Sequence, residues 1–119
     1  SGLSGEPITV WGKGNRRNQY TYVADIASAV GALIGRRSEA RGSTYNLVSS
    51  TVTTTSELAQ LVASATGAKV RYLLDRPEAP TLPYVDSTKA RRQIDWAETP
   101  LVDGVRATIG ELRKLAPVK

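Results

Sequence analysis

The hydrophobic period of this chain changes several times, and that alternation restricts its fold more than any other feature. Pro7 to Val10 and Gln19 to Val23 carry the short apolar pattern of β-strands, with Gly12-Lys-Gly14 turning between them. From Asp25 the period lengthens: Ile26, Ala29, Val30, Leu33 and Ile34 fall on one helical stripe, which Gly35 can stop. Arg36 to Gly42 is a polar loop, and Thr44-Tyr-Asn-Leu-Val48 predicts a buried strand. Thr54-Thr-Ser-Glu57 is a capping box, in which hydroxyl and carboxylate each satisfy a free backbone N–H of a helix start. Leu58, Leu61, Val62 and Ala65 continue that helix, and Gly67 caps it. Val70 to Leu74 predicts another strand, while the three prolines between Arg76 and Pro83 predict irregular chain. Asp86 can cap a short helix running to Ile94. Thr99-Pro100 opens the last helix, with proline at its first position and Leu101, Val105, Ile109, Leu112 and Leu115 along one face. Strands alternating with helices imply an α/β arrangement, a small mixed sheet with some parallel pairing and flanking helices.

The 119 residues suit one domain, and no repeat, low-complexity tract or second-domain linker divides them. The expected division is a tag or linker remnant at 1–4, opened by Ser1-Gly2 without an initiator Met, and a single domain at 5–119. At this length roughly two-thirds of the unfolded surface can be buried, enough for one core. The chain has no cysteine, which removes disulfides, thiolate catalysis and Cys-bound zinc. It has no histidine either, so the commonest general base and metal ligand are absent; no metal site is expected. No apolar run approaches the roughly 18 residues of a membrane span, and no signal peptide opens the chain; the expected compartment is the cytoplasm. The net charge of +5 raises nucleic acid as a partner. The sixteen basic residues are scattered, however, half of them in doublets such as Arg16-Arg17 and Arg91-Arg92, and no nucleic-acid motif accompanies them. Solvated helix faces, or a surface that favours small anions, account for them better.

Two motifs of nicotinamide chemistry can be tested directly. Gly12-Lys-Gly-Asn-Arg-Arg17 comes after a strand, as a dinucleotide fingerprint does, but lacks the third glycine. The next residues, Gln19 to Val23, are strand-like, whereas the fingerprint needs a helix whose N-terminus holds the pyrophosphate. A glycine turn between two strands is the better reading. A lysine four residues after a tyrosine would lower that tyrosine's pKa for proton relay; none of the five tyrosines has one. Asp25, Asp75, Asp86 and Asp95 each have a cap or surface explanation. No catalytic and no cofactor-binding residue is therefore assigned within the chain.

Seven segments in order say more than any one of them. They are Pro7-Ile-x-Val-x-Gly-x-Gly14, Tyr20-x-Tyr-Val-x-Asp-Ile-Ala27, Tyr45-Asn-Leu47, Thr54-x-x-Glu-Leu-Ala59, Arg76-Pro77, Asp86-Ser-x-Lys-Ala90 and Trp96. Their order and spacing resemble the C-terminal half of NAD-dependent epimerases and dehydratases, the nucleotide-sugar enzymes of the extended short-chain dehydrogenase family. The resemblance covers Gly5 to about Leu115.

The resemblance implies a substrate-binding C-terminal part of a Rossmann-type enzyme whose N-terminal half, absent here, holds NAD(P) and the catalytic tyrosine. It implies that this piece alone is inactive and binds no cofactor, and that its uncovered apolar surface favours self-association. The family places an arginine that grips the substrate diphosphate at Asn18 of this chain; Arg17 stands one residue earlier and faces the other way unless a bulge turns it. The second family arginine falls on Arg76, ten residues before Asp86, where a guanidinium can fork onto two phosphate oxygens. Glu78-Ala79 replaces the Gly-Asp that often follows it. Thr9 and Trp11 fall on the strand near the nucleotide base, and a tryptophan there either stacks on the base or packs in the core. Tyr20, Tyr22, Ile26, Tyr45 and Trp96 read as packing residues, and Asp25 as a partner of its own helix start. A non-catalytic anion- or nucleotide-binding module, or part of a reductase for a non-nucleotide carbonyl compound, stays open beside this reading.

Overall fold

The computed structural model describes residues 2–115. The chain opens with a 3-10 turn at Gly2–Ser4, then β1 (Ile8–Trp11), β2 (Arg17–Asn18), α1 (Val23–Gly35) and a single helical turn, α2 (Arg37–Ala40). It continues through β3 (Thr53–Thr54), α3 (Thr55–Thr66), β4 (Val70–Leu73), α4 (Thr88–Gln93) and α5 (Leu101–Leu115). Pairing is mixed, in two small sheets. β1 runs parallel to β4, from Ile8 opposite Val70 to Trp11 opposite Leu73, and β2 runs antiparallel to β3. The parallel pair needs a long crossover, and α3 within it packs on β1 and β4.

Helix α3 forms where the capping box places it. Thr54 Oγ1 accepts from the Glu57 N–H at 3.1 Å, and Glu57 reaches back to the Thr54 N–H at 3.2 Å. Gly67 closes the helix in the left-handed conformation, φ 77°. The glycine turn after β1 completes the same cap. The Ser56 N–H donates to the Gly14 carbonyl at 2.9 Å, and the Thr55 N–H to that of Arg16 at 3.0 Å. The Gly-x-Gly turn of this chain therefore serves a helix start. Gly14 has φ 73°, and a Cβ there would lie 2.9 Å from both the backbone nitrogen and the Cβ of Ser56. Gly14→Ala is expected to destabilise the chain by about 2 kcal/mol, part left-handed strain and part overpacking, read as a lowered midpoint in urea.

Four sequence expectations need correction. The second strand is Arg17–Asn18, not 19–23, and Val23 begins the helix. Residues 19–22 are tied by side chains instead of a ladder: the Gln19 amide donates to the Ser49 and Val85 carbonyls and accepts the Val85 N–H, and Thr21 Oγ1 accepts the Ser49 N–H. Residues 44–48 form no strand, because no other strand of the described chain lies beside them. Side chains bind this stretch: Lys89 donates to the Thr44 carbonyl, Ser87 to that of Val48, and Asn46 to that of Asp86. The loop at 36–42 contains the turn α2. Finally, the stripe of α1 divides. Ala29 and Leu33 pack inward, while Ile26, Val30 and Ile34 are exposed with Val23.

The core joins α1, α4 and the segments around them: Ala29 and Ala90 at 0% exposure, Ile94 and Trp96, with Ala32, Leu33, Tyr45 and Leu47 against them. Trp96 is the anchor expected of it, and its indole N–H donates to the Asp25 carbonyl at 2.8 Å. Asp25 does not serve its own helix start. Its buried carboxylate accepts the Thr99 N–H and the Thr99 hydroxyl, both at 2.7 Å, and so holds the start of α5. Glu98 ties a second seam: burial pushes its carboxyl up, but bonds from the Ser50 N–H and hydroxyl and from Arg91 outweigh this and hold it below the usual glutamate value.

Candidate functional site

The alternation of β1 decides where its side chains go. Val10 is buried and Trp11, the next residue, is 55% exposed, while Thr9 is exposed and lines, with Ile8 and Val10, an apolar groove between β1, α3 and α5. Of the two readings given to Trp11, a core residue is excluded. The Arg76 guanidinium lies over its ring, 5.7 Å from the centroid. Arg76 forms no ion pair among the described residues, neither with Asp75 nor with Glu78. An exposed guanidinium held against an aromatic face keeps its N–H fork free for an anion.

Arg17 and Asn18 belong to a second locality, a cleft of about 320 Å³ shared with Gln19, Val52 and the stretch Thr81–Tyr84. No bulge interrupts the pairing of β2, in which Arg17 opposes Thr54 and Asn18 opposes Thr53. Both residues nevertheless line the cleft, Arg17 exposed and Asn18 half-buried. The structure does not bring Arg76, Thr9 and Trp11 into this cleft.

One loop connects the two localities. Leaving β4, it carries Arg76 to the Trp11 ring, and then Glu78 crosses the β1–β2 turn and accepts the Arg16 N–H at 3.0 Å. The Arg16 guanidinium donates to the Pro80 carbonyl at 3.1 Å, and the Arg17 N–H to Thr81 Oγ1 at 3.3 Å. Gly12 makes room for this crossing: a Cβ there would fall 2.5 Å from Glu78 Cγ. Glu78, Thr81, Tyr84 and Gln19 are the site residues that sequence reasoning missed. The glutamate after Arg76-Pro77, where the family often has glycine, was the visible signal for the first, and nothing in the local pattern pointed to the others.

The remaining titratable groups lie elsewhere. The Asp86 carboxyl is held below its usual value chiefly by the Thr88 hydroxyl, then by the Thr88 N–H, as part of the turn into α4. Hydrogen bonds to Ser56, then Gln60, lower the Tyr72 hydroxyl on the α3 side of the sheet. No group of metal-binding side chains occurs among the described residues. No helix among them is long and apolar enough to cross a membrane.

No family model matches the chain. Among characterised proteins it is 30% identical over 112 residues to dTDP-glucose 4,6-dehydratase of Streptomyces niveus, covering 90% of this chain and 32% of that protein. It is also 30% identical over 110 residues to UDP-glucuronic acid decarboxylase 1 of Danio rerio, covering 90% of this chain and 26% of the relative. A solved structure, UDP-glucuronic acid 4-epimerase from Bacillus cereus in complex with UDP-glucuronic acid and NAD, superposes with a TM-score of 0.78 at 21% identity. That match covers 96% of this chain and 37% of the other. The fold is thus that of the C-terminal part of short-chain-type epimerases. The homologues and structural neighbours of the chain are NAD-dependent epimerases and dehydratases, and the chain spans about a third of their length.

Proposed function

We propose that the chain is the substrate-binding portion of a longer NAD(P)-dependent nucleotide-sugar epimerase or dehydratase. Residues 5–119 form that portion, and an N-terminal Rossmann half supplies cofactor and catalytic tyrosine. The chain alone is inactive and holds no cofactor. Arg76 grips the substrate diphosphate; Arg17 and Asn18 contact it or the sugar across the loop from Glu78 to Thr81, and the strand that carries Thr9 and Trp11 lies near the base. The observation that carries this reading is the Arg76 guanidinium, without a carboxylate partner among the described residues and laid on an exposed tryptophan. The bare stripe Val23, Ile26, Val30 and Ile34 supports a missing half, since an apolar helix face of this length is normally covered.

The reading predicts the effect of Arg76→Gln in the full gene product. Calorimetric titration with UDP should show affinity reduced about tenfold or more, the loss of a charge-assisted fork to phosphate. Unchanged UDP affinity would sink the assignment. A steep salt dependence with single-stranded DNA and indifference to UDP would replace it with nucleic-acid binding.

A second reading draws on Asn18. With an uncharged residue where relatives have arginine, the cleft suits part of a reductase for a small carbonyl compound without a diphosphate. Under that reading UDP does not bind and Arg76→Gln changes nothing measurable with it.

A further inference from the structure

Glu78 stands two residues beyond Arg76, yet its carboxylate forms no ion pair with that guanidinium. A carboxylate this near in sequence can pair with an arginine and compete with any anion for its N–H fork. Here Pro77 fixes the intervening φ, and Glu78 Oε1 is occupied by the Arg16 N–H at 3.0 Å. The aliphatic part of Glu78 lies over Gly12, in space that a Cβ at that position would take. Arg76 therefore stays unpaired, among the described residues, because of where Glu78 is held.

The turn that holds it is itself fixed on both sides. The Gly12 N–H donates to the Leu73 carbonyl at 2.9 Å, and the Gly14 and Arg16 carbonyls accept the first N–H groups of α3. The Arg76 segment has less of its own: its N–H donates to the Leu73 carbonyl at 3.1 Å, and Leu74 beside it is 71% exposed. The bonds from Arg16 to Pro80 and from Arg17 to Thr81 come after Glu78, on the side of the cleft. Trp11-Gly12 thus meets Arg76-Pro77-Glu78 at two points, ring against guanidinium and glycine against the glutamate stem.

We infer that Glu78 is a positioning residue for Arg76. By fastening the loop to the Gly12–Arg16 turn, it holds the guanidinium on the Trp11 ring and open to an anion before the anion arrives. The inference rests on the proposed reading of Arg76 as the diphosphate-binding residue. Ordering a long side chain in advance lowers what binding must spend on it.

Two measurements test it. In the 119-residue chain, acrylamide quenching of fluorescence reads the cover that Arg76 gives Trp11, since the other tryptophan, Trp96, is buried. Glu78→Ala should raise quenching to the level of Arg76→Gln. Glu78→Gln, which keeps an acceptor for the Arg16 N–H, should recover most of the difference. Should the alanine variant lose its helical circular dichroism, Glu78→Asp, one methylene shorter, repeats the comparison. In the full gene product, calorimetry should show UDP affinity reduced about fivefold by Glu78→Ala, the ordering cost of one long side chain. Added to Arg76→Gln it should cost nothing more, because it acts through the arginine.

Quenching indifferent to Glu78→Ala overturns the inference, and so does a glutamine variant that behaves as alanine does. Additive losses of UDP affinity overturn it too, by placing Glu78 on the ligand itself. If Arg76→Gln weakens UDP binding and Glu78→Ala does not, the positioning role falls and the proposed function stands. If both variants raise quenching and neither changes UDP affinity, the positioning role stands and the proposed function falls.

Discussion

Trp96→Ala is expected to remove about 3–5 kcal/mol, which for a chain of this size is much of its stability. The side chain is 5% exposed and fills the space among Ala29, Ala90 and Ile94. Neither alanine can extend to fill the hole. The loss is more than a cavity, because the indole N–H also donates to the Asp25 carbonyl inside α1. Arg91, whose guanidinium lies 5.9 Å from the ring centroid, loses its support as well. Chemical denaturation with far-ultraviolet circular dichroism measures the effect. A loss below about 1 kcal/mol would mean that the cluster of Ala29, Ala90, Ile94 and Trp96 is not the core of the fold. Trp96→Phe keeps most of the volume and loses the hydrogen bond, and should fall between the two.

Asp25→Ala is the second large effect, at about 3 kcal/mol. The carboxylate takes both donors of Thr99, and bonds to a charged acceptor are worth more than neutral ones. Alanine leaves the Thr99 N–H and hydroxyl without partners at the mouth of α5, and that helix loses its fixed starting point. Asp25→Asn is the informative companion: its amide oxygen can still accept one bond while its NH2 meets a donor. Equal stability of wild type and Asp25→Ala in urea titration would show that α5 is held by its apolar face alone. The same measurement on Thr99→Val should reproduce most of the Asp25→Ala loss, and the double variant should add little.

The boundary between what could and could not be read from sequence is a physical one. Signals contained within a few residues were legible: the Thr54–Glu57 box, the Gly67 cap, the strands β1 and β4, and Trp96 as an anchor. Signals that depend on a distant partner were not. Asp25 looks like any acidic residue in a first turn, and only the fold brings Thr99, 74 positions away, to it. Residues 44–48 have the composition of a strand, but composition specifies a pleat and not a neighbour. The α1 stripe reads as one buried face, whereas this chain covers only the Ala29–Leu33 side of it. At the candidate site, Arg76 is singled out only by the family resemblance, which places an arginine ten residues before Asp86. Its stacking on Trp11, and the crossing of Glu78 over the glycine turn, depend on a loop whose course local pattern does not encode.

The stretch 44–48 has a practical consequence. Within the described residues none of its backbone N–H groups meets a backbone carbonyl, and it lies in the same layer as the bare helix α1. An extended segment with free donors is a template that does not distinguish its intended neighbour from another copy of itself. The concentration at which this chain is purified therefore decides what covers that edge. Co-expressing the chain with the N-terminal half proposed for it, or fusing a charged solubility partner near Ser43, should yield dispersed protein where the chain alone gives precipitate.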